Sequence, residues 1–173
     1  MGSLGVIRSQ PKKAETALED MADLFRMAMT DERDVVPLSK ELRLCRQYVA
    51  LEQLRMGERL EVEWLLQGVP EDALIPVLLL QPLLENAVYH GVEPLVDGGC
   101  IHVRIQRLGG MLRIEVDNPV QPGGGRHEGN KIALQNIRER LALLFDAEAR
   151  YQVTSEDDLY RVEIILPYVK ETK

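Results

Sequence analysis

Residues 78–91 read LLLQPLLENAVYHG, an apolar run until a carboxylate, an amide and an imidazole interrupt it at Glu85, Asn86 and His90. At 100° per residue, Leu80, Leu83, Leu84, Ala87 and Val88 share one arc, while Glu85, Asn86, Tyr89, His90 and Glu93 take the other side. Asn86 and His90 stand one turn apart on the border between core and solvent, where a ligand could lie. An amphipathic helix with a solvated face would show the same border, so the stretch alone does not decide. Two further groups add weight. The glycine-rich residues 123–131, GGGRHEGNK, run straight into a helical pattern, which offers backbone N–H groups at a helix N-terminus to an anion. Val116-Asp117-Asn118 places a carboxylate and an amide at a strand end. The loop lacks the G-x-x-x-x-G-K-[ST] spacing and does not follow a strand in a βαβ unit, so neither a P-loop nor a Rossmann site fits.

The elements that must hold these groups follow from the period of the apolar residues. Ala14, Ala17, Leu18, Met21, Leu24, Phe25 and Ala28 predict a helix over about residues 11–30 whose single apolar stripe calls for a partner. Residues 31–37 break it. A second helix follows to Gly57, with Ser39 as its expected N-cap and Leu42, Cys45 and Val49 on one face. Leu60, Val62, Trp64 and Leu66 alternate as a strand. A long helix is expected from about residue 69 to 94, with Pro76 and Pro82 near its first turns. Residues 100–108 and 111–119 form a hairpin around Gly109-Gly110, residues 120–131 a loop. A helix then carries Leu134, Ile137, Leu141 and Leu144 inward, before a closing hairpin over 150–168. Hairpin-linked strands with helices between them imply a mostly antiparallel sheet covered on one face, an α+β two-layer sandwich. Residues 1–57 divide off as a helical segment and residues 58–173 as the domain.

Bulk properties narrow the function. A formal charge of −7 and a pI near 5.1 argue against direct nucleic-acid binding. No apolar run approaches the roughly 18 residues needed to cross a membrane. The opening Met-Gly-Ser resembles an expression scar and says nothing of targeting. Cys45 and Cys100 lack C-x-x-C spacing and a histidine at ligand-like spacing, so reduced thiols of a cytosolic protein are expected and a structural zinc is not.

The run at 78–91 closely resembles the N-box of sensor histidine kinases of the LytS type, within the wider ATPase superfamily of gyrase, Hsp90 and MutL. Residues 37–63 look like the segment preceding the ATP-binding domain in that family, and residues 129–145, GNKIALQNIRERLALLF, like its final glycine box and following helix. The resemblance covers about residues 8–168. With DNP in place of DNG, it is most similar to the subgroup that contains the alginate-regulating sensor kinases. It implies the Bergerat ATP-binding fold, ATP and Mg²⁺ as cofactors, and phosphoryl transfer to a histidine and onward to a response regulator of the LytTR type. It also implies a homodimeric parent anchored in the inner membrane, of which this is a cytoplasmic portion.

By the resemblance, Asn86 helps hold Mg²⁺ against the ATP phosphates, an oxygen donor suited to a hard cation. Glu85 orients a metal-bound water or polarises the acceptor. His90 falls beside the phosphates, or is a helix-end histidine without that role. The adenine-binding Asp of the family matches Asn118 by strand parity, since Asn118 shares the face of Leu112, Ile114 and Val116, while Asp117 goes with Arg113 and Glu115. A one-residue irregularity would bring Asp117 in instead. Gly129, Lys131, Ile132, Ala133, Leu134 and Asn136 occupy the last box and the start of its helix. Two of its usual glycines are replaced there: Ala133 still allows close approach, whereas Lys131 either offers charge to a phosphate or obstructs the lid. Tyr160 sits near the place of a family Thr, and weak nucleotide affinity is expected.

The P-H-F-L-F-N acceptor motif is absent from the sequence. Its histidines are His90, His102, expected to be structural within a strand, and His127 in the lid. Two other readings stay open: a degenerate, non-catalytic module acting by dimerisation or regulator docking, and an ATP-driven clamp.

Overall fold

The computed structural model describes residues 35–68, 72–122 and 131–170. The helix expected over 11–30 lies outside them, as do Gly129 and His127 of the lid. The order is β1 (Val35–Pro37), α1 (Leu38–Met56), β2 (Leu60–Gln67), β3 (Leu74–Pro76), α2 (Leu80–Asn86, continued as a π-helix over Ala87–Val92), β4 (Gly99–Leu108), β5 (Met111–Pro119), α3 (Lys131–Phe145), β6 (Arg150–Ser155) and β7 (Leu159–Pro167). Five strands form one sheet in the order β2-β4-β5-β7-β6, and β1 pairs with β3 apart from it.

The expected two-layer α+β sandwich is present. One face of the sheet carries Ile101, Val103, Ile105, Ile114, Val116, Val162 and Ile164, all buried, and the core they form includes Leu42, Cys45 and Val49 of α1, Leu80, Leu83 and Leu84 of α2, and Ile137 and Leu141 of α3. Each Leu or Ile taken fully from water in this way contributes about 1.5–3 kcal/mol. Three sheet pairings are antiparallel, whereas β2 and β4 run parallel, Leu60 opposite Gly99 through Gln67 opposite Gln106. The connection between them passes through α2, the kind of crossover that parallel neighbours require.

The helix expected to begin near residue 69 starts eleven residues later. Leu74–Pro76 pairs with Val35–Pro37 as a two-stranded ribbon, Val36 opposite Ile75. Pro76 ends that pairing, and Leu78 takes a left-handed φ of 55° before the helix can begin. The helix start is held by a residue that sequence spacing did not single out. Glu41 of α1, 1% exposed, accepts the backbone N–H of Leu78 at 2.6 Å and that of Leu80 at 3.3 Å. Burial pushes the Glu41 carboxyl above its usual range, and the N–H groups of Leu78 and Leu80 and the charge of Arg140 oppose that rise. Arg140 of α3 in turn donates to the Val77 carbonyl.

Ser39 does not cap α1. The helix begins at Leu38, after Pro37, with no side-chain cap, and Leu38 N–H donates to the Ala73 carbonyl at 2.7 Å. A tertiary backbone bond thus takes the place of the local cap. Gly57 ends the helix as expected, at φ 62°. In α3, Leu134, Ile137 and Leu141 are buried; Leu144 is half-buried.

Candidate functional site

Three elements meet at one end of the sheet: the π-helical continuation of α2, the end of β5 and the start of β7. Asn118 and Tyr160 are direct register partners across β5 and β7. Both lie on the helix-covered face, by the alternation that buries Val116 and Val162. Asn118 is 4% exposed. A Cβ at Gly91 would lie 2.2 Å from Asn118 Nδ2 and 2.7 Å from its Cγ, so the helix can approach the strand end this closely because position 91 has no side chain. Asn118 Nδ2 donates to the Pro119 carbonyl at 2.9 Å.

Asn86, also buried, stands beside the Tyr160 phenol. Burial raises the Tyr160 phenol and the Asn86 hydrogen bond partly offsets it. Asn86, Gly91, Asn118 and Tyr160 therefore form one wall joining helix to sheet. The wider π turn sits at this wall, where such local expansions of a helix are frequently found at functional sites. Glu85 precedes Asn86 on the exposed side and accepts from Gln81 Nε2 at 3.3 Å. His90 is half-buried and meets the ring of exposed Tyr89 edge-on at 5.0 Å.

Asp117 takes the opposite face. Its carboxylate, 2% exposed, receives Nε of Arg161 at 2.7 Å and Nη2 at 2.9 Å, a bidentate pair, and Nη1 of Arg104 as well. Burial alone would raise its pKa; hydrogen bonds from Arg161 and Arg104 outweigh burial and hold it below the usual Asp value. The strand end has no irregularity that would turn Asp117 inward, since the β5–β7 register runs unbroken from Met111 to Pro119. At the start of α3, Ile132 is 74% exposed, Ala133 half-buried, Leu134 buried and Asn136 exposed.

Comparison with known proteins places this geometry. A family model described as histidine kinase matches residues 3–60. The sensor histidine kinase YesM of Bacillus subtilis is 29% identical over 164 residues, 92% of this chain and 28% of that protein. The sensor histidine kinase YpdA of Escherichia coli is 30% identical over 80% of this chain and 26% of its own length. The sensor protein LytS of Oceanobacillus iheyensis is 27% identical over 94% of this chain and 30% of its own length. The chain belongs to the LytS-type sensor histidine kinases.

It spans less than a third of the length of these relatives. Among solved structures, the nucleotide-free catalytic domain of histidine kinase ThkA is similar at a TM-score of 0.58 and 13% identity, over 78% of this chain and 95% of that one. Full-length ShkA, solved in complex with AMPPNP, is similar at a TM-score of 0.54 and 19% identity, over 91% of this chain and 36% of that one. These likenesses establish the fold of a histidine kinase catalytic domain. Tyr160 and Gly91 are members of the wall to which the sequence assigns no role. Tyr160 stands where the family has a Thr, and its strand parity with Asn118 is the signal in the sequence. Nothing local in the sequence marks Gly91, whose importance lies in what faces it.

Proposed function

We propose that this chain binds Mg·ATP between α2 and the start of α3 and presents the γ-phosphoryl group to an imidazole on a dimerisation helix, from which a response regulator takes it on an Asp. The observation that carries this reading is the close approach of the helix to the end of β5 at Gly91, which sets the buried N-box amide Asn86 on the same wall as buried Asn118. Asn86 would offer its amide oxygen to the metal that bridges to the phosphates. Asn118 uses its Nδ2 on Pro119, which leaves the amide oxygen as acceptor for the adenine amino group. An uncharged acceptor binds adenine less strongly than the family's carboxylate, because a charge-assisted hydrogen bond is roughly twice as strong as a neutral one.

The donor fits magnesium: Asn86 supplies an amide oxygen, a hard ligand of the kind Mg²⁺ prefers beside phosphates and water. When bound, Mg²⁺ neutralises phosphate charge. In this chain Asn86 would hold it, with Glu85 orienting a metal-bound water or polarising the acceptor and His90 standing beside the phosphates. Transfer relies on positioning and charge, since the transition state needs little covalent help. Gly129 and Lys131 to Leu134, with Asn136, form the lid side, and Lys131 offers its charge to a phosphate. The same reading assigns residues 1–57 to the dimerisation module and its linking helix, and residues 58–173 to the ATP domain. The Asp117-Asn118-Pro119 strand end aligns the chain with the alginate-regulating subgroup. The parent is a membrane-anchored homodimer whose regulator is of the LytTR type.

Titration of the chain with a fluorescent ATP analogue tests the reading. Saturable, Mg²⁺-dependent binding is expected, with affinity falling at least about tenfold in Asn86→Ala, the scale of one lost charge-assisted contact. No saturable binding at millimolar nucleotide would overturn it and leave a docking module in its place.

A further inference from the structure

The outer face of the sheet carries a second cluster of ligating side chains, unconnected with the nucleotide wall. Glu63 on β2 and His102 on β4 are direct register partners, and Cys100 precedes His102 by two residues, so its side chain shares their face. Glu63 Oε2 lies 3.2 Å from His102 Nε2, and one ligand atom from each of Glu63, Cys100 and His102 lies within 4.8 Å of the others. The expectation that neither cysteine has a histidine within reach thus fails for Cys100. The spacing C-x-H is meaningless on a helix or a zinc knuckle but correct on a strand, where residues two apart stand side by side.

We propose that Glu63, Cys100 and His102 form a Zn²⁺ site on the outer face of the sheet. Ligand chemistry selects the metal: a thiol, an imidazole and a carboxylate together suit zinc, whereas Mg²⁺ and Ca²⁺ take oxygen. Tetrahedral zinc, at about 2.0–2.3 Å from its ligands, sets them about 3.3–3.8 Å apart, so a spread within 4.8 Å closes by side-chain rotation alone. The backbone needs no movement, because two adjacent strands already fix the three Cα positions. Binding replaces the thiol proton, released to solvent, with a Zn–S bond. Glu61 faces Cys100 across the ladder and is positioned to complete the set in place of water. The remaining neighbour on this face of β4, Arg104, has its charge matched by Asp117. Exposed Glu63 with half-buried Cys100 and His102 on two neighbouring strands makes an accessible site, one that loads and empties without unfolding the domain.

Co²⁺ titration of the reduced, metal-stripped chain reports thiolate ligation directly. A near-ultraviolet thiolate-to-cobalt band saturating at a single ion per chain is expected, bleached by one equivalent of Zn²⁺. Cys100→Ser and His102→Ala should lose the band while keeping wild-type far-UV circular dichroism and wild-type nucleotide binding. Cys45→Ser should keep it, since Cys45 is buried in the core. Glu63→Gln should weaken the apparent affinity by at least about tenfold, the smallest loss when even an outer partner of a metal is removed. A band that survives Cys100→Ser, or none at millimolar Co²⁺, overturns the site. Failure of nucleotide binding leaves it untouched, because no residue is shared.

Discussion

The two faces of the central sheet use the same three strands for opposite purposes. On the helix-covered face, β4, β5 and β7 present Ile, Val and Leu until the end of β5, where Asn118 and Tyr160 replace them at the cleft. On the other face the same strands carry Arg104, Arg113, Glu115, Asp117, Arg161 and Glu163. There Arg113 reaches Glu163 at 2.8 Å and Glu115 at 3.1 Å, and Arg161 and Arg104 enclose Asp117. Glu115 and Asp117 are buried although no helix among the described residues covers them, the arginine side chains paired with them lying alongside. Adjacent residues, Asp117 and Asn118, therefore stand in different settings: one braces the sheet by charge, the other packs against the helix at Gly91.

That contrast can be broken most sharply at Asp117. Removing it strips both guanidinium groups of their shared carboxylate, leaving Arg161 only the more distant Glu115, and Asp117→Ala should cost about 2–3 kcal/mol in chemical denaturation, below the 3–5 of a fully buried pair because both arginines keep roughly a third of their surface. The pH dependence follows from the lowered pKa. A carboxyl whose folded pKa lies below its unfolded value of about 3.9 stabilises fully above that value and loses its contribution as pH falls through the folded pKa. Denaturation midpoints of the wild type and Asp117→Asn should therefore converge below about pH 4. Nucleotide affinity of Asp117→Asn should stay near wild type; its abolition would reverse the assignment of the two faces.

Asn118→Asp is the complementary change and should act on binding. A charged acceptor in place of a neutral one should tighten the ATP analogue by roughly fivefold, about 1 kcal/mol. Equal affinity in titration would mean that this wall does not read the adenine. The smallest effect is expected for Tyr160→Phe. It removes the hydroxyl that Asn86 meets and should weaken Mg²⁺-dependent binding by roughly two- to fivefold, within the 0.5–1.5 kcal/mol of one hydrogen bond, with nucleotide binding in the absence of Mg²⁺ unchanged.

Much of this is legible in the sequence. Alternation along 111–119 put Asn118 on the core side, and the structure places it there, because a strand of unbroken register obeys period two. The amphipathic spacing of α3 marked Leu134, Ile137 and Leu141 as buried. The start of α2 was not legible: its position depends on Val35–Pro37 pairing with Leu74–Pro76 and on Glu41 reaching the N–H groups of Leu78 and Leu80 from another helix. Ser39 failed as a cap for the same reason, its expected role being filled by a backbone bond from Leu38 to Ala73.

The sequence by itself determined the elements with strong periods, the family resemblance and the face on which each strand residue falls. These depend on local geometry that repeats every 2 or 3.6 residues. Tertiary structure alone decided that β2 and β4 run parallel, that Gly91 must lack a side chain because Asn118 meets it, and that Asn86 leans on Tyr160. It also brought Glu63 beside Cys100 and His102. Each of these joins residues dozens of positions apart. Such contacts are fixed by how the layers close over a common core, a constraint that no local pattern records.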